Sequence, residues 1–167
     1  MKSSKQVRIL AIASSGGHWI ELFRMRPAWD GCDVSYVTTK KGYNEEVVHD
    51  ARERNQPEPR FFKVINANRW QKFRLLGQVI GVLLVLLRIR PHVIISTGAS
   101  LGFFALKMGK ILGARTIWVD SIANAEELSL SGKMAGGCAD LWLTQWQHLA
   151  RSNKSETARP VYKGEVI

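Results

Sequence analysis

Four groups of small polar residues interrupt apolar runs in this chain, and each is of a type that can hold an anionic oxygen or move a proton. The first is Ser14-Ser15-Gly16-Gly17-His18, directly after the run Val7 to Ala13. Paired glycines let the backbone pass close to a ligand, and a strand, a glycine loop and a helix N-terminus together present N–H groups to an anion. His18 is the side chain of this stretch that exchanges a proton near neutral pH, which makes it a candidate general base toward a hydroxyl. The second group, Thr97-Gly98-Ala99-Ser100, repeats the combination of hydroxyl and glycine. Asp120-Ser121 adds a carboxylate, a second candidate base, and Gln145 adds an amide.

Each group also has a purely structural reading. Ser14 and Ser15 can cap the helix that follows, Thr97-Gly98 can be a tight turn, and Asp120-Ser121 can cap a helix starting near Ala123. The first loop has neither the full GxGxxG spacing nor the Walker lysine, which disfavours ordinary dinucleotide and nucleoside-triphosphate loops. No DxD and no His/Asp cluster with metal spacing occurs, so no metal is expected. Cys32 and Cys138 stand far apart, which indicates neither a zinc site nor a disulfide framework and makes a reducing setting the default.

The elements that would carry these groups follow from the apolar pattern. Strands are expected at 7–13, 33–38, 60–65, 92–98, 115–120 and 141–146, with a last edge strand in 160–164. Helices are expected at 19–25, 45–54, 68–90, 103–112 and 131–139. Strands alternating with helices at this rhythm define an α/β, Rossmann-like, doubly wound parallel sheet, and 167 residues suit one domain. Ligands of such sheets bind beyond the carboxyl ends of the strands. Ser14, Ser15, Gly16, Gly17 and His18, then Thr97, Gly98 and Ser100, Asp120 and Ser121, and Gln145 all fall there. An open crevice shared by His18, Thr97 and Asp120 is the expectation that follows.

Charge and hydropathy add a second theme. The formal net charge is +10, which points to an anionic partner. Within Asn68 to Arg90, a basic and aromatic lead runs into Val79 to Leu87, where no side chain is polar. A helix apolar on all sides is either buried in the protein or in contact with lipid, and the two coexist if one face touches the sheet and another touches lipid. Arg69, Lys72, Arg74, Arg88 and Arg90 would suit anionic head groups, with Trp70 at the interface. The segment falls short of the span of about 20 apolar residues that crosses a bilayer. The bases flank an apolar helix instead of alternating with aromatics on a polar face, so nucleic acid is not an expected partner.

Read together, Ser14-Ser15-Gly16-Gly17-His18, Ile95-Ser96-Thr97-Gly98-Ala99, Trp118-Val119-Asp120-Ser121, Ser129-Leu130-Ser131-Gly132-Lys133, Ala139-Asp140-Leu141 and Thr144-Gln145-Trp146 resemble the PssD-type subunit of bacterial capsule and exopolysaccharide glycosyltransferases. The pattern is similar to the membrane-associated subunit of the eukaryotic UDP-N-acetylglucosamine transferase of dolichol-linked oligosaccharide synthesis, and more distantly to the N-terminal half of MurG. The resemblance implies the N-terminal, acceptor-binding half of a GT-B glycosyltransferase, peripheral on the cytoplasmic face of the membrane. It implies a UDP-sugar donor held mainly by a separate donor-binding subunit, an acceptor saccharide on a polyprenyl diphosphate, and no metal or other cofactor. His18 takes the place of the family's loop histidine. Asp120 stands where relatives often have glutamate, and Asn124-Ala125-Glu126-Glu127 differs from the usual basic residue nearby. A non-catalytic membrane scaffold that recruits the donor-binding catalytic subunit is the alternative.

Overall fold

The structure, a computed structural model, describes residues 6–67, 70–150 and 159–166. In chain order it contains β1 (Arg8–Ile12), α1 (Gly17–Arg24), β2 (Asp33–Thr38), α2 (Tyr43–Glu53), β3 (Arg60–Lys63), α3 (Lys72–Ile89), β4 (Val93–Ser96), α4 (Ala99–Ile111), β5 (Arg115–Val119), α5 (Leu130–Ala135), β6 (Leu141–Thr144) and β7 (Val161–Tyr162). Short 3-10 turns occupy Arg26–Trp29 and Gln147–Leu149.

The strands form one sheet in the order β3-β2-β1-β4-β5-β6-β7, and every pairing is parallel. Strand order reverses between β1 and β4, and such a switch point opens a crevice at the carboxyl ends of the two strands. Apolar side chains on both faces of β1 explain why the sequence reads there as a continuous apolar run. Leu10 and Ile12 join a core with Val82, Leu86, Leu101, Leu106 and Trp118. Ile9 and Ala11 join a separate core with Trp19, Leu22, Trp29 and Val47. Helices α1 and α2 therefore cover one face of the sheet, and α3, α4 and α5 cover the other.

Helix α3 resolves the two readings of the apolar segment by having two sides. Gln78, Val82, Val85, Leu86 and Ile89 are buried, whereas Phe73, Leu76, Ile80, Leu84 and Leu87 form an exposed stripe, from 49% to 91% accessible. Lys72 and Arg74 lie at the exposed start of the helix and Arg88 and Arg90 at its exposed end. Trp70 precedes it and is 78% exposed; Arg69 lies outside the described residues. Arg90 ends the helix in the left-handed conformation (φ 49°, ψ 61°), immediately before Pro91, which cannot continue it. The Arg8 guanidinium donates to the carbonyl oxygens of Arg90 (2.7 and 2.9 Å) and Ile89 (3.1 Å), so these two carbonyls at the helix end are met.

Three of the differences from the expected elements bear on the site. Helix α4 starts at Ala99, four residues ahead of the expected 103, because Gly102 lets the helix lie against β4 and β5: a Cβ there would stand 1.8 Å from Ser96 Oγ and 3.2 Å from the Trp118 ring. No helix starts near Ala123; residues 121–129 form turns until Ser129 caps α5. Helix α5 stops at Ala135 rather than 139. Gly136 ends it beneath Trp142, whose ring would stand 2.5 Å from any Cβ at that position.

Candidate functional site

The loop after β1 takes its shape from its neighbours. Ser15 N donates to Thr39 Oγ1 (3.1 Å), and Thr39 Oγ1 donates to Ser15 Oγ (3.0 Å). Gly16 N donates to the Tyr43 hydroxyl (3.3 Å). The Trp19 ring stacks on Tyr43 at 4.7 Å between centroids, which ties the first turn of α1 to the start of α2. The N-cap of α1 is Gly16 (φ 95°) with no side-chain cap. Ser14 and Ser15 therefore do not cap α1; Ser15 is spent on Thr39. Nothing lies within 4 Å of a Cβ placed on Gly16 or Gly17. The loop thus presents open backbone at a helix N-terminus, where the first N–H groups have no intrahelical carbonyl to bond.

His18 sits in the first turn of α1, half-buried. Its carbonyl accepts from Thr97 Oγ1 at 2.6 Å, which joins the loops after β1 and β4. Its ring lies over Gly98, so a Cβ on Gly98 (φ 153°) would come within 2.4 Å of Cε1 and Nδ1. That close approach is why glycine stands there. His18 Nδ1 is buried and has no hydrogen-bond partner among the described residues. Gly98 N donates to Ser96 Oγ (3.3 Å), and Ala99 takes a positive φ of 64° at the helix start, a conformation of a few kcal/mol at most that tends to persist at ligand-facing turns. Ser100 Oγ donates to Gln78 Oε1 (3.5 Å), and Gln78 Nε2 donates to the Ile65 carbonyl (2.8 Å). The mouth of α4 is thereby fixed to α3.

The loops after β5 and β6 differ in kind. Asp120 is 1% exposed, and its carboxylate is fully engaged. Oδ1 accepts from Trp118 Nε1 (3.2 Å) and Ser129 Oγ (2.6 Å), and Oδ2 accepts from Ser129 N (3.0 Å). A Cβ on Gly132 would meet Asp120 Oδ1 at 2.5 Å, so α5 is seated directly on this carboxylate. The expected crevice shared by His18, Thr97 and Asp120 is therefore not formed by those side chains: Thr97 is fully buried and meets only the His18 carbonyl, Asp120 is turned inward, and of the three only the His18 ring is partly exposed. Ser121 and Gln145 are also buried. Ser121 Oγ donates to Glu21 Oε1 (2.6 Å) and accepts from Ala123 N (3.3 Å), in place of a helix cap. Gln145 Nε2 donates to Glu21 Oε2 (3.1 Å) and to the Asp120 carbonyl (3.1 Å).

Glu21 is the site residue that sequence reasoning passed over. It is 5% exposed and sits one helical turn beyond His18. The available signal was its position: a glutamate between Trp19 and Leu22, the two residues that define the buried side of α1. Elsewhere the charged groups are ordinary. Asp140 accepts from Thr116 N (2.8 Å) and from Lys110 Nζ; the Lys110 ammonium holds its carboxyl below the usual aspartate range. No group of His, Cys, Asp and Glu suited to a metal ion occurs among the described residues.

A parallel sheet with an open glycine loop at its switch point defines a Rossmann-like domain of the kind found in GT-B glycosyltransferases. The family model described as "Oligosaccharide biosynthesis protein Alg14 like" matches residues 9–161, and the chain belongs to that family. The UDP-N-acetylglucosamine transferase subunit ALG14 of Eremothecium gossypii is 26% identical over 167 residues, covering 86% of this chain and 74% of the relative. The mouse subunit of the same name is 25% identical, covering 98% and 84%. Among solved structures, MurG of Acinetobacter baumannii superposes with a TM-score of 0.68 at 11% identity over 94% of this chain. A UDP-N-acetylglucosamine 2-epimerase from Rickettsia bellii gives 0.66 at 14% identity over 97%. This chain spans 45% and 46% of those two proteins, and the likeness is one of fold. The chain is thus a glycosyltransferase subunit by family.

Proposed function

We propose that this protein is the acceptor-binding, membrane-associating subunit of a two-part glycosyltransferase, which moves a sugar from a UDP-sugar to a hydroxyl of a saccharide carried on a polyprenyl diphosphate. The observation that carries the reading is His18: an imidazole with a buried nitrogen unmatched among the described residues, beside an open glycine loop at the switch point of the sheet. In the reaction the acceptor oxygen bonds to the anomeric carbon, the bond from that carbon to the UDP oxygen breaks, and His18 takes the hydroxyl proton. The backbone N–H of Gly17 and those at the start of α4 suit diphosphate oxygens, while the Gly16 N–H is held by the Tyr43 hydroxyl. A donor-binding subunit supplies the UDP-sugar. Asp120, Ser121 and Gln145 support the rim from beneath.

The stripe Phe73, Leu76, Ile80, Leu84 and Leu87, bordered by Lys72, Arg74, Arg88 and Arg90, supports attachment to the cytoplasmic face of an anionic membrane. No helix of the described residues is long and apolar enough to cross a membrane.

The test is His18→Ala in the reconstituted pair of subunits. Turnover should fall by about 100-fold or more while the pair still assembles; unchanged turnover would leave the chain a scaffold. In flotation with anionic vesicles, Leu76→Ser with Leu84→Ser should lower bound protein about tenfold or more. Equal flotation of the wild-type and doubly substituted proteins would remove α3 from the membrane contact.

A further inference from the structure

Glu21 is a carboxylate buried in the side of α1 that otherwise packs Trp19 and Leu22. Among the described residues no lysine or arginine pairs with it. A carboxylate taken out of water without a countercharge is costly, and leucine at this position would pack without that cost. What the carboxylate does instead is accept two hydrogen bonds from two different strand ends: Ser121 after β5 at 2.6 Å and Gln145 after β6 at 3.1 Å. Three residues before it, the His18 carbonyl is held by Thr97 after β4. Residues three apart on a helix share a face, so one turn of α1 is clamped to three strands and His18 stands at its free end.

Resting on the reading of His18 given above, we propose that Glu21 is a positioning residue that fixes the height and rotation of α1, and through it the place of the His18 imidazole over Gly98. The clamp needs both carboxylate oxygens. Gln145 cannot turn over to donate elsewhere, because its Oε1 already accepts from Val166 N (2.7 Å) and its Nε2 also serves the Asp120 carbonyl (3.1 Å). An amide at position 21 can accept from Gln145 only by aiming its NH2 at Ser121, which must then surrender its role as donor. Glu21→Gln is therefore close in size and wrong in hydrogen bonding.

The experiment is a double-mutant cycle in the reconstituted two-subunit transferase, with Glu21→Gln and His18→Ala alone and together. Glu21→Gln should lower kcat about 10- to 100-fold with KM for donor and acceptor within about twofold, and should add less than about twofold in the His18→Ala background. Ser121→Ala, which removes one of the two clamps and leaves the carboxylate, should show the same non-additive pattern at about 3- to 10-fold, and decides the matter if Glu21→Gln fails to fold. A full additional loss on top of His18→Ala, or wild-type kcat in both clamp variants, would overturn the role of Glu21 while leaving His18 in place. Unchanged turnover in His18→Ala would remove both.

Discussion

His18 and Asp120 occupy equivalent addresses, each at the carboxyl end of a central strand and each of a chemical type that handles protons. Their surroundings are opposite. Asp120 makes three hydrogen bonds with its two oxygens and is sealed from solvent. His18 lies over a glycine with Nδ1 unmatched by any described residue, next to a loop where added atoms would meet nothing. Native proteins match nearly all of their buried polar groups. A group at a sheet's binding end whose capacity is already met therefore serves the fold, and one with capacity to spare is available to a ligand.

The sharpest way to break this contrast is Asp120→Ala, which leaves Trp118 Nε1 and two donors of Ser129 without an acceptor. Chemical denaturation should show a loss of about 3 kcal/mol. Wild-type stability with abolished turnover would return Asp120 to the chemistry. Gly98→Ala comes next: its Cβ would collide with the His18 ring at 2.4 Å, costing about 2 kcal/mol and displacing the imidazole, so stability and turnover should fall together. Thr97→Val deletes only the bond to the His18 carbonyl, and a loss of about 1 kcal/mol is expected in the same measurement.

A third carboxylate, Asp140, sharpens the contrast because it is neither sealed nor spare. Lys110 holds its pKa below the ordinary value, so its stabilisation is fully present above the aspartate range and is lost as pH falls through and below it. Asp140→Asn should cost about 1 kcal/mol at pH 7, and the gap from wild type should close as the pH falls through and below the ordinary aspartate range. Smallest of all, Gly17→Ala enters open space at a helical position and should shift stability by less than about 0.5 kcal/mol. Any fall in turnover in that variant reports on a ligand at the loop.

The sheet was legible because most strands are short apolar runs with turn residues at both ends; Asp33–Thr38 matches its expected limits. The start of α4 was not, since the packing of Gly102 against Ser96 and Trp118 is tertiary and leaves no local mark beyond the glycine itself. The convergence of the polar loops was readable from topology, but which side chains face outward was not. Asp120 looked equivalent to His18 in sequence as a candidate base, and only partners contributed by Trp118 and Ser129 distinguish it. Glu21 escaped notice because one acidic residue in a short helix carries no motif. That α3 could have two sides was legible, but which residues lie on each was not: when every residue from Val79 to Leu87 is apolar, periodicity cannot say which half is out.

That outward half has a practical corollary. Phe73, Leu76, Ile80, Leu84 and Leu87 run along a single flank, and a continuous greasy ridge of this kind adheres to any similar ridge it meets. Handled in plain buffer, the protein should cluster more as it is concentrated, and a mild surfactant should disperse the clusters without disturbing the sheet behind them.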